Sequence, residues 1–314
     1  MRNMAGYGLV ALKGVAMGAA DVVPGVSGGT IAFISGIYDE LIDSIKSINI
    51  ANLKLLFTGR FAAFWKAVNG NFLLSLILGI GLSIFSLARV ITMLLRDYPV
   101  LVFAFFFGLI VASAWFVSKD IRQWNWKTLL GMVAGIVLAV WVTSVTAAHT
   151  PEALWFVFLC GFVAICAMIL PGISGAFILL LLGKYRYIMT AIGEPNLPVI
   201  LLFAVGAVVG IISFSHLLSW LLKNRHDATI AVLMGFMLGS LNKVWPWKET
   251  VATFVDNHGA TVPLVERNIA PNHFELLTGQ DSQLTSAILL CIIGFLSIYL
   301  IETAARLLEK KRSH

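Results

Sequence analysis

Six apolar runs of roughly 20 residues constrain this chain more than any other feature of its sequence. A helix needs about 20 mostly apolar residues to cross a hydrocarbon core about 30 Å thick. Inside that core the backbone groups must be paired within helices. The runs therefore predict transmembrane helices. Their bounds are 72–95, 99–118, 127–147, 198–222, 228–246 and 284–305.

The composition agrees with a membrane as the solvent. Of the 314 residues, 59% are hydrophobic and 12% are charged, whereas soluble domains carry about 25% charged residues. The N-terminus has no cleavage-site pattern, so we expect no removable signal peptide. Cys160, Cys166 and Cys291 lie in apolar segments without metal-ligand spacing, so we predict no disulfide, no metal and no cofactor.

The basic residues orient the predicted helices, because Lys and Arg concentrate on cytoplasmic loops. With the basic C-terminal tail inside, only Arg96, Lys248 and Arg267 fall in outer loops. We therefore predict a multi-pass protein of the bacterial inner (cytoplasmic) membrane, with both termini in the cytoplasm and an external loop at 247–283. The net charge of +6 then reflects topology, and we expect no nucleic-acid partner. Segment 46–71 mixes basic and large apolar residues, which is typical of a helix lying in the inner interface.

Two further apolar stretches, 7–45 and 153–192, are each broken near the middle by a Pro-Gly pair. Placing Pro24 on Pro171 aligns the sequence PGVSG with PGISG, and the alignment continues to Gly36 and Gly183. A duplication explains this match.

The two repeats span 1–148 and 149–314, and each contains one Pro-Gly-broken helical hairpin followed by three transmembrane helices. Because three is odd, the second repeat enters the membrane from the opposite face. The first hairpin then enters from the cytoplasm and the second from outside. The predicted fold class is an all-α integral membrane protein with an inverted repeat, an arrangement found in many alternating-access transporters.

The residues after each Pro-Gly pair predict an anion site. Pro ends a helix and Gly permits a sharp turn, so a second helix begins at Ser27-Gly28-Gly29-Thr30 in one hairpin and at Ser174-Gly175 in the other. Free N–H groups, hydroxyls and the positive end of the helix dipole would then face a ligand. The alternative interpretation is that the glycines allow close packing and the serines only cap helices.

Three ionisable residues at membrane depth are further candidates, because such residues are costly there. Asp21 precedes the first turn, and its counterpart in the second repeat is Met168. We predict that Arg89 and its repeat counterpart His216 help bind the anion, and that Asp21 tunes the site or its coupling. A carboxylate beside an anion must be neutral or paired, and the sequence leaves both options open.

The segment GAADVVPGVSGGT at 18–30, together with PGISG at 171–175, resembles the bacterial undecaprenyl-phosphate (polyprenyl-phosphate) transporter family. The resemblance runs through nearly the full length. It implies a flippase, not an enzyme, that returns undecaprenyl phosphate, the carrier lipid of cell-wall precursor export, from the outer to the inner leaflet. The phosphate headgroup would need a polar path, while the isoprenoid tail stays in the lipid.

Two other functions remain open on the residues alone. One is transport of a soluble anion, which the same turns could bind, although no ring of basic side chains indicates a pore. The other is a polyprenyl-pyrophosphate phosphatase, which also uses Pro-Gly-x-Ser. The Arg that follows in that motif is absent here, so a transferring phosphoryl group would lack its stabiliser. Membrane lipids, a coupling ion (proton or sodium) and a homo-oligomeric partner are also compatible with the sequence.

Overall fold

The computed structural model of the protein describes residues 2, 4–23, 26–144, 150–151, 153–255 and 261–312. Across these ranges the chain is mostly helical, with one small antiparallel sheet. The pair Pro24-Gly25, on which the first predicted turn is centred, lies outside the described residues. The same holds for the end of the apolar run 127–147.

The described residues form sixteen helices and two strands. Those of the N-terminal half are α1 (Met4–Asp21), α2 (Gly28–Ile34), α3 (Tyr38–Lys46), α4 (Ile50–Phe57), α5 (Phe61–Ala67), α6 (Gly70–Ser86), α7 (Ala88–Asp97), α8 (Pro99–Ser118) and α9 (Trp126–Ser144). Those of the C-terminal half are α10 (Leu154–Ile169), α11 (Gly175–Leu181), α12 (Tyr185–Gly193), α13 (Leu197–Asn224), α14 (His226–Ser240), β1 (Lys248–Val255), β2 (Thr261–Asn268), α15 (Pro271–Thr278) and α16 (Leu284–Arg312).

Three helices of the described residues are long and apolar enough to cross a membrane, namely α8, α9 and α13. Two bent helix pairs raise the number to five if each is one span. The pair α5–α6 bends by 71° and the pair α11–α12 by 110°. Segment 46–71 contains α4 and α5, where Phe57 is 90% exposed.

Two of the apolar runs are not continuous helices. The prediction of one helix at 72–95 is wrong, because α6 ends at Ser86 and α7 begins at Ala88. Helix α7 is amphipathic and carries Arg89, Arg96 and Asp97 near its two ends, and it does not continue α6. The run 228–246 ends early for another reason. After Ser240 the chain turns, and the Asn242 and Lys243 carbonyls accept hydrogen bonds from side chains of the two strands.

The segment 247–283 is not an irregular loop. It contains β1 and β2, which pair antiparallel with Lys248 opposite Asn268, and it continues into α15. Both strands combine β-branched residues with polar ones, a composition that favours a sheet with one face exposed. The all-α description therefore holds for the rest of the described chain and not for this segment.

Most of the long helices pack in four pairs, α1 with α6, α10 with α13, α8 with α16, and α9 with α14. Glycines lie at every one of these interfaces. A Cβ at Gly79 would collide with the Ala11 carbonyl, and one at Gly206 with the Phe158 carbonyl. Small residues let helix backbones approach closely, which is how helices associate in lipid.

The second arm of each hairpin is itself broken. Gly36 separates α2 from α3 and has a φ of 69°, and Gly183 separates α11 from α12 with a φ of 62°. Both lie in the left-handed region that favours glycine. Each resulting helix has seven or nine residues, so none crosses a bilayer alone.

The main core lies where the first hairpin meets α8, α13 and α14. Val23, Val26 and Ile37 of the hairpin are buried there against Ile110 and Met237. The residues on either side of the first turn, Val23 and Val26, therefore lie in the main core.

Candidate functional site

The first turn is closed by its own side chains. Ser27 is fully buried and caps α2, since its Oγ accepts a hydrogen bond from the Gly29 N–H at 3.1 Å. The Gly28 N–H donates to Oδ1 of Asp21 at 2.7 Å. The Thr30 N–H donates to the Ser27 carbonyl at 2.9 Å. The first three N–H groups of α2 are therefore all paired, so our expectation of free N–H donors at this turn is wrong.

The second turn has the same Pro-Gly-x-Ser-Gly sequence pattern as the first but different polar contacts. Met168 replaces Asp21, as the repeat alignment predicts, and therefore offers no carboxylate. Ser174 precedes α11 but makes no capping hydrogen bond through its side chain. The N–H groups of Gly175, Ala176 and Phe177 have no hydrogen-bond partner among the residues that the structure describes. Such N–H groups lack intrahelical partners in every helix, so this turn keeps the donors that the first turn has used.

The two turns touch each other. The Thr30 hydroxyl accepts a hydrogen bond from the Gly172 N–H at 3.0 Å. The Ser27 hydroxyl lies 3.2 Å from the carbonyl oxygens of both Met168 and Leu170, and can donate to one of them. Sequence-distant polar groups thus join at one buried junction, and Ser27 and Thr30 hold the second turn in place.

The glycines of both turns lie against the same stretch of backbone. A Cβ added to Gly29 would lie 2.5 Å from the Ile169 carbonyl oxygen. One added to Gly175 would lie 2.5 Å from the Ala164 carbonyl oxygen and 3.4 Å from Cβ of Met168. These positions therefore require glycine for packing, whatever else they do.

The structure does not bring the two predicted basic residues to this junction. Arg89 is exposed on α7, and His216 places Nδ1 2.8 Å from the Ile212 carbonyl of its own helix. Among the described residues, no hydrogen bond or ion pair joins either side chain to a turn. Asp21, Ser27, Gly28, Gly29 and Thr30 do come together with the second turn.

Sequence reasoning missed Tyr38 as part of the junction. Its hydroxyl is buried and donates to the Ile169 carbonyl at 3.1 Å. Placing Pro24 on Pro171 also puts Tyr38 on Tyr185, which is a signal that the sequence contains, but this match does not say which carbonyl the phenol reaches.

Two lysine clusters lie outside the hydrogen-bonded junction of the two turns. In one, Asp43 of α3 accepts hydrogen bonds from Ser219 at 2.9 Å and Lys223 at 3.2 Å, and Lys46 donates to the same serine at 3.1 Å. This cluster ties the first hairpin to α13. In the ion pair between Asp43 and Lys223, the Lys223 side chain is 60% exposed.

The other cluster lies at the strands and is more buried. Oε2 of Glu266 accepts hydrogen bonds from Lys243 at 2.7 Å and Lys248 at 3.3 Å. Burial lowers the pKa of Lys248 to about 8, against the opposing pull of Glu266. Burial alone would raise the pKa of Glu266, but Lys248 and Lys243 outweigh it and hold that pKa below its usual range.

The sequence also matches a known protein family. Residues 17–262 match the VCA0040-like family, which is described as undecaprenyl phosphate translocase-like. The match includes both turns and the contacts between them. The chain belongs to this family.

Two relatives extend the match along the chain. A polyprenyl-phosphate transporter of Vibrio cholerae serotype O1 is 48% identical over 281 residues, covering 90% of this chain and 91% of the relative. A polyprenyl-phosphate transporter of Staphylococcus aureus is 35% identical over 253 residues, covering 75% of this chain and 85% of the relative. No solved structure matches the chain.

Proposed function

We propose that this protein carries a polyprenyl phosphate, namely undecaprenyl phosphate, from the outer to the inner leaflet of the bacterial cytoplasmic membrane. The observation that carries the proposal is the similarity to two polyprenyl-phosphate transporters, which covers 90% of this chain in one case and 75% in the other. The function would return the carrier lipid for cell-wall precursor synthesis. The transport step itself needs no covalent chemistry, so the protein acts as a flippase and not as an enzyme.

The helix packing supports an inverted repeat as the basis of transport. In the repeat alignment, the pair α1–α6 corresponds to α10–α13, and α8–α16 corresponds to α14–α9; all four are packed pairs. Close-approach glycines recur at matching positions: Gly14 matches Gly161 when Pro24 is placed on Pro171, and Gly79 matches Gly206 when Arg89 is placed on His216. Two related halves that enter from opposite faces can expose one central site to each side in turn.

The headgroup would bind at the junction of the two turns. Ser174 and Gly175 offer an uncommitted hydroxyl and N–H, which suit a phosphate oxygen. Ser27, Gly28, Gly29 and Thr30 form the opposing wall and would contribute donors only by giving up their present bonds.

The proposal also gives roles to Arg89, His216 and Asp21. Arg89 and His216 remain candidates for the phosphate charge, and each would have to move toward the junction. Asp21 would tune the site or its coupling to a proton or sodium ion, because it already holds the Gly28 N–H. The isoprenoid tail would remain in the lipid beside the bundle.

The test compares headgroup binding in two serine variants of the purified protein. Ser174→Ala removes a hydroxyl that caps nothing, so it should lower undecaprenyl-phosphate affinity several-fold without unfolding the protein. Ser75→Ala is the matched control and should bind normally, because the Ser75 hydroxyl only donates an exposed hydrogen bond to the Asn71 carbonyl of its own helix. Valine at Gly175 would be a poor test, since its Cβ would meet a backbone oxygen and binding could not be separated from folding.

The same assay separates the alternatives. Equal competition by inorganic phosphate and by the lipid would favour a soluble-anion transporter. Release of inorganic phosphate from a polyprenyl diphosphate would favour a phosphatase. Unchanged lipid affinity in Ser174→Ala would remove the second turn from the proposed site.

A further inference from the structure

The cluster at the strands carries more positive charge than its carboxylate balances. Glu266 faces both Lys243 and Lys248, and the three side chains are 19%, 17% and 8% exposed. One carboxylate between two ammonium groups leaves one uncompensated positive charge. Removing such a charge from water is costly unless a second anion pairs with it.

The surroundings of the two ammonium groups add little compensation. Lys243 lies over the ring of Phe177, 5.2 Å from its centroid, and Lys248 lies over Phe103 at 4.1 Å. Lys248 also donates to the Lys243 carbonyl at 2.8 Å. Ring faces attract cations only modestly, so the excess charge persists within the part of the chain that the structure describes.

The backbone around the cluster is held in place. The side-chain amide of Asn268 donates to the Asn242 carbonyl at 2.7 Å, and the Asn242 amide donates to Thr143 at 3.1 Å. These contacts join β2, the turn after α14 and α9. The two lysines are therefore presented by a fixed frame and not by a mobile surface.

From this geometry we propose that Lys243 and Lys248 bind a phosphate group, and that Glu266 occupies their ammonium groups until that phosphate displaces it. Under the proposed function, on which the identity of the ligand rests, the phosphate is the lipid headgroup. Two ammonium groups can share the oxygens of one phosphate, and such charge-assisted bonds are among the stronger ones.

The position of the cluster fits a docking step before the central junction. Phe177, which faces Lys243, belongs to α11 of the second hairpin, and Phe103 belongs to α8. The cluster also lies at the strands of the predicted external segment. A headgroup collected there would be beside the hairpin that is predicted to open outward.

The opposing explanation is that the cluster only pins the strands to the helices. The two explanations predict different changes in phosphate affinity for one variant. If Glu266 competes with phosphate, Glu266→Gln should increase phosphate affinity several-fold. If the cluster is only a structural tie, Glu266→Gln should leave affinity unchanged or lower it together with thermal stability.

The lysine variants give the second arm of the experiment. Lys243→Met and Lys248→Met in the full-length protein should each weaken undecaprenyl-phosphate binding roughly tenfold or more, the loss expected for a hydrogen bond to a charged group. Lys127→Met is the matched control, because Lys127 also lies beside an aromatic ring, that of Trp126, but has no place in the cluster. It should bind like the wild type.

A pH series strengthens the test. Lys248 faces Glu266 and Lys243, and its pKa is about 8. Phosphate loses its second proton near pH 6, so its charge is nearly constant above pH 7. Affinity should therefore fall as the pH rises from 7 to 9 in the wild type, and this dependence should disappear in Lys248→Met.

The outcomes keep this proposal separate from the proposed function. Lipid binding that depends on Ser174 but not on either lysine overturns the cluster site and leaves the transport function standing. Binding of inorganic phosphate alone, still dependent on the lysines, supports the site and overturns the lipid as its ligand. Wild-type affinity in Glu266→Gln and in both lysine variants overturns the site.

Discussion

The two hairpin turns share a sequence pattern but differ in how their polar groups are used. In the first, five of the seven residues of α2 are buried, and Asp21, Ser27 and Thr30 are all hydrogen-bonded. In the second, only Gly175 and Leu179 of α11 are buried, and Ser174 caps nothing.

This difference indicates a division of roles between two copies of one motif. The first turn is locked by side chains and supplies a wall. The second is shaped by backbone packing and keeps its donors uncommitted. We therefore expect substitutions in the first turn to act mainly on stability and those in the second mainly on ligand binding, except where backbone geometry is involved.

The largest loss of stability is expected for a substitution at Gly172, because the second turn depends on the backbone conformation of this residue. Its φ is 88°, and a Cβ there would lie 2.7 Å from the Phe236 carbonyl oxygen. A strained backbone conformation costs about 1–3 kcal/mol, and the clash adds to it, so Gly172→Ala should greatly reduce the folded fraction in detergent. Gly81→Ala, with no atom within 4 Å of the added Cβ, should fold normally. A wild-type melting curve for Gly172→Ala would contradict the role given to the backbone.

The next largest effect is a difference in stability between alanine variants of Ser27 and Ser174. Ser27→Ala removes a buried cap and leaves the Gly29 N–H without its partner, which should cost about 1–2 kcal/mol. Ser174→Ala removes no cap and should change stability by less than about 0.5 kcal/mol. Thermal or denaturant unfolding of the two variants side by side measures the contrast. Equal losses would mean that the two turns do not differ as described.

The smallest loss of stability is expected for Asp21→Asn, because the amide retains an oxygen that can accept a hydrogen bond from the Gly28 N–H. Asp21→Ala is the sharper variant, since an unpaired buried N–H costs roughly 1–3 kcal/mol. If Asp21 acts only through this bond, transport by Asp21→Asn should be slightly reduced at every pH with an unchanged profile, because an amide oxygen accepts the Gly28 N–H more weakly than a carboxylate does. A flattened pH profile in the Asn variant would instead assign Asp21 a titrating role.

Much of the helical plan could be predicted from the sequence. The apolar runs at 99–118 and 198–222 coincide with α8 and α13, because an uninterrupted apolar stretch has few alternatives to a helix. The repeat alignment also matched Gly36 to Gly183, which both prove to be helix breaks. Where polar residues divided a run, as around Arg89, hydropathy alone did not locate the break. The sheet at 248–268 was missed because its alternation is short and polar.

What the sequence determined by itself was therefore the class of protein, the two Pro-Gly turns and the residue types available for an anion. Only the tertiary structure decided which of those groups are free. The motif predicts that Ser27 and Ser174 each precede a helix. In the structure, however, Asp21 and the carbonyls of Met168 and Leu170 pair with polar groups of the first turn. The Ser174 side chain of the second turn makes no capping hydrogen bond. Hydrogen bonds between residues so distant along the chain depend on how the halves pack, and that packing is not encoded in any local pattern.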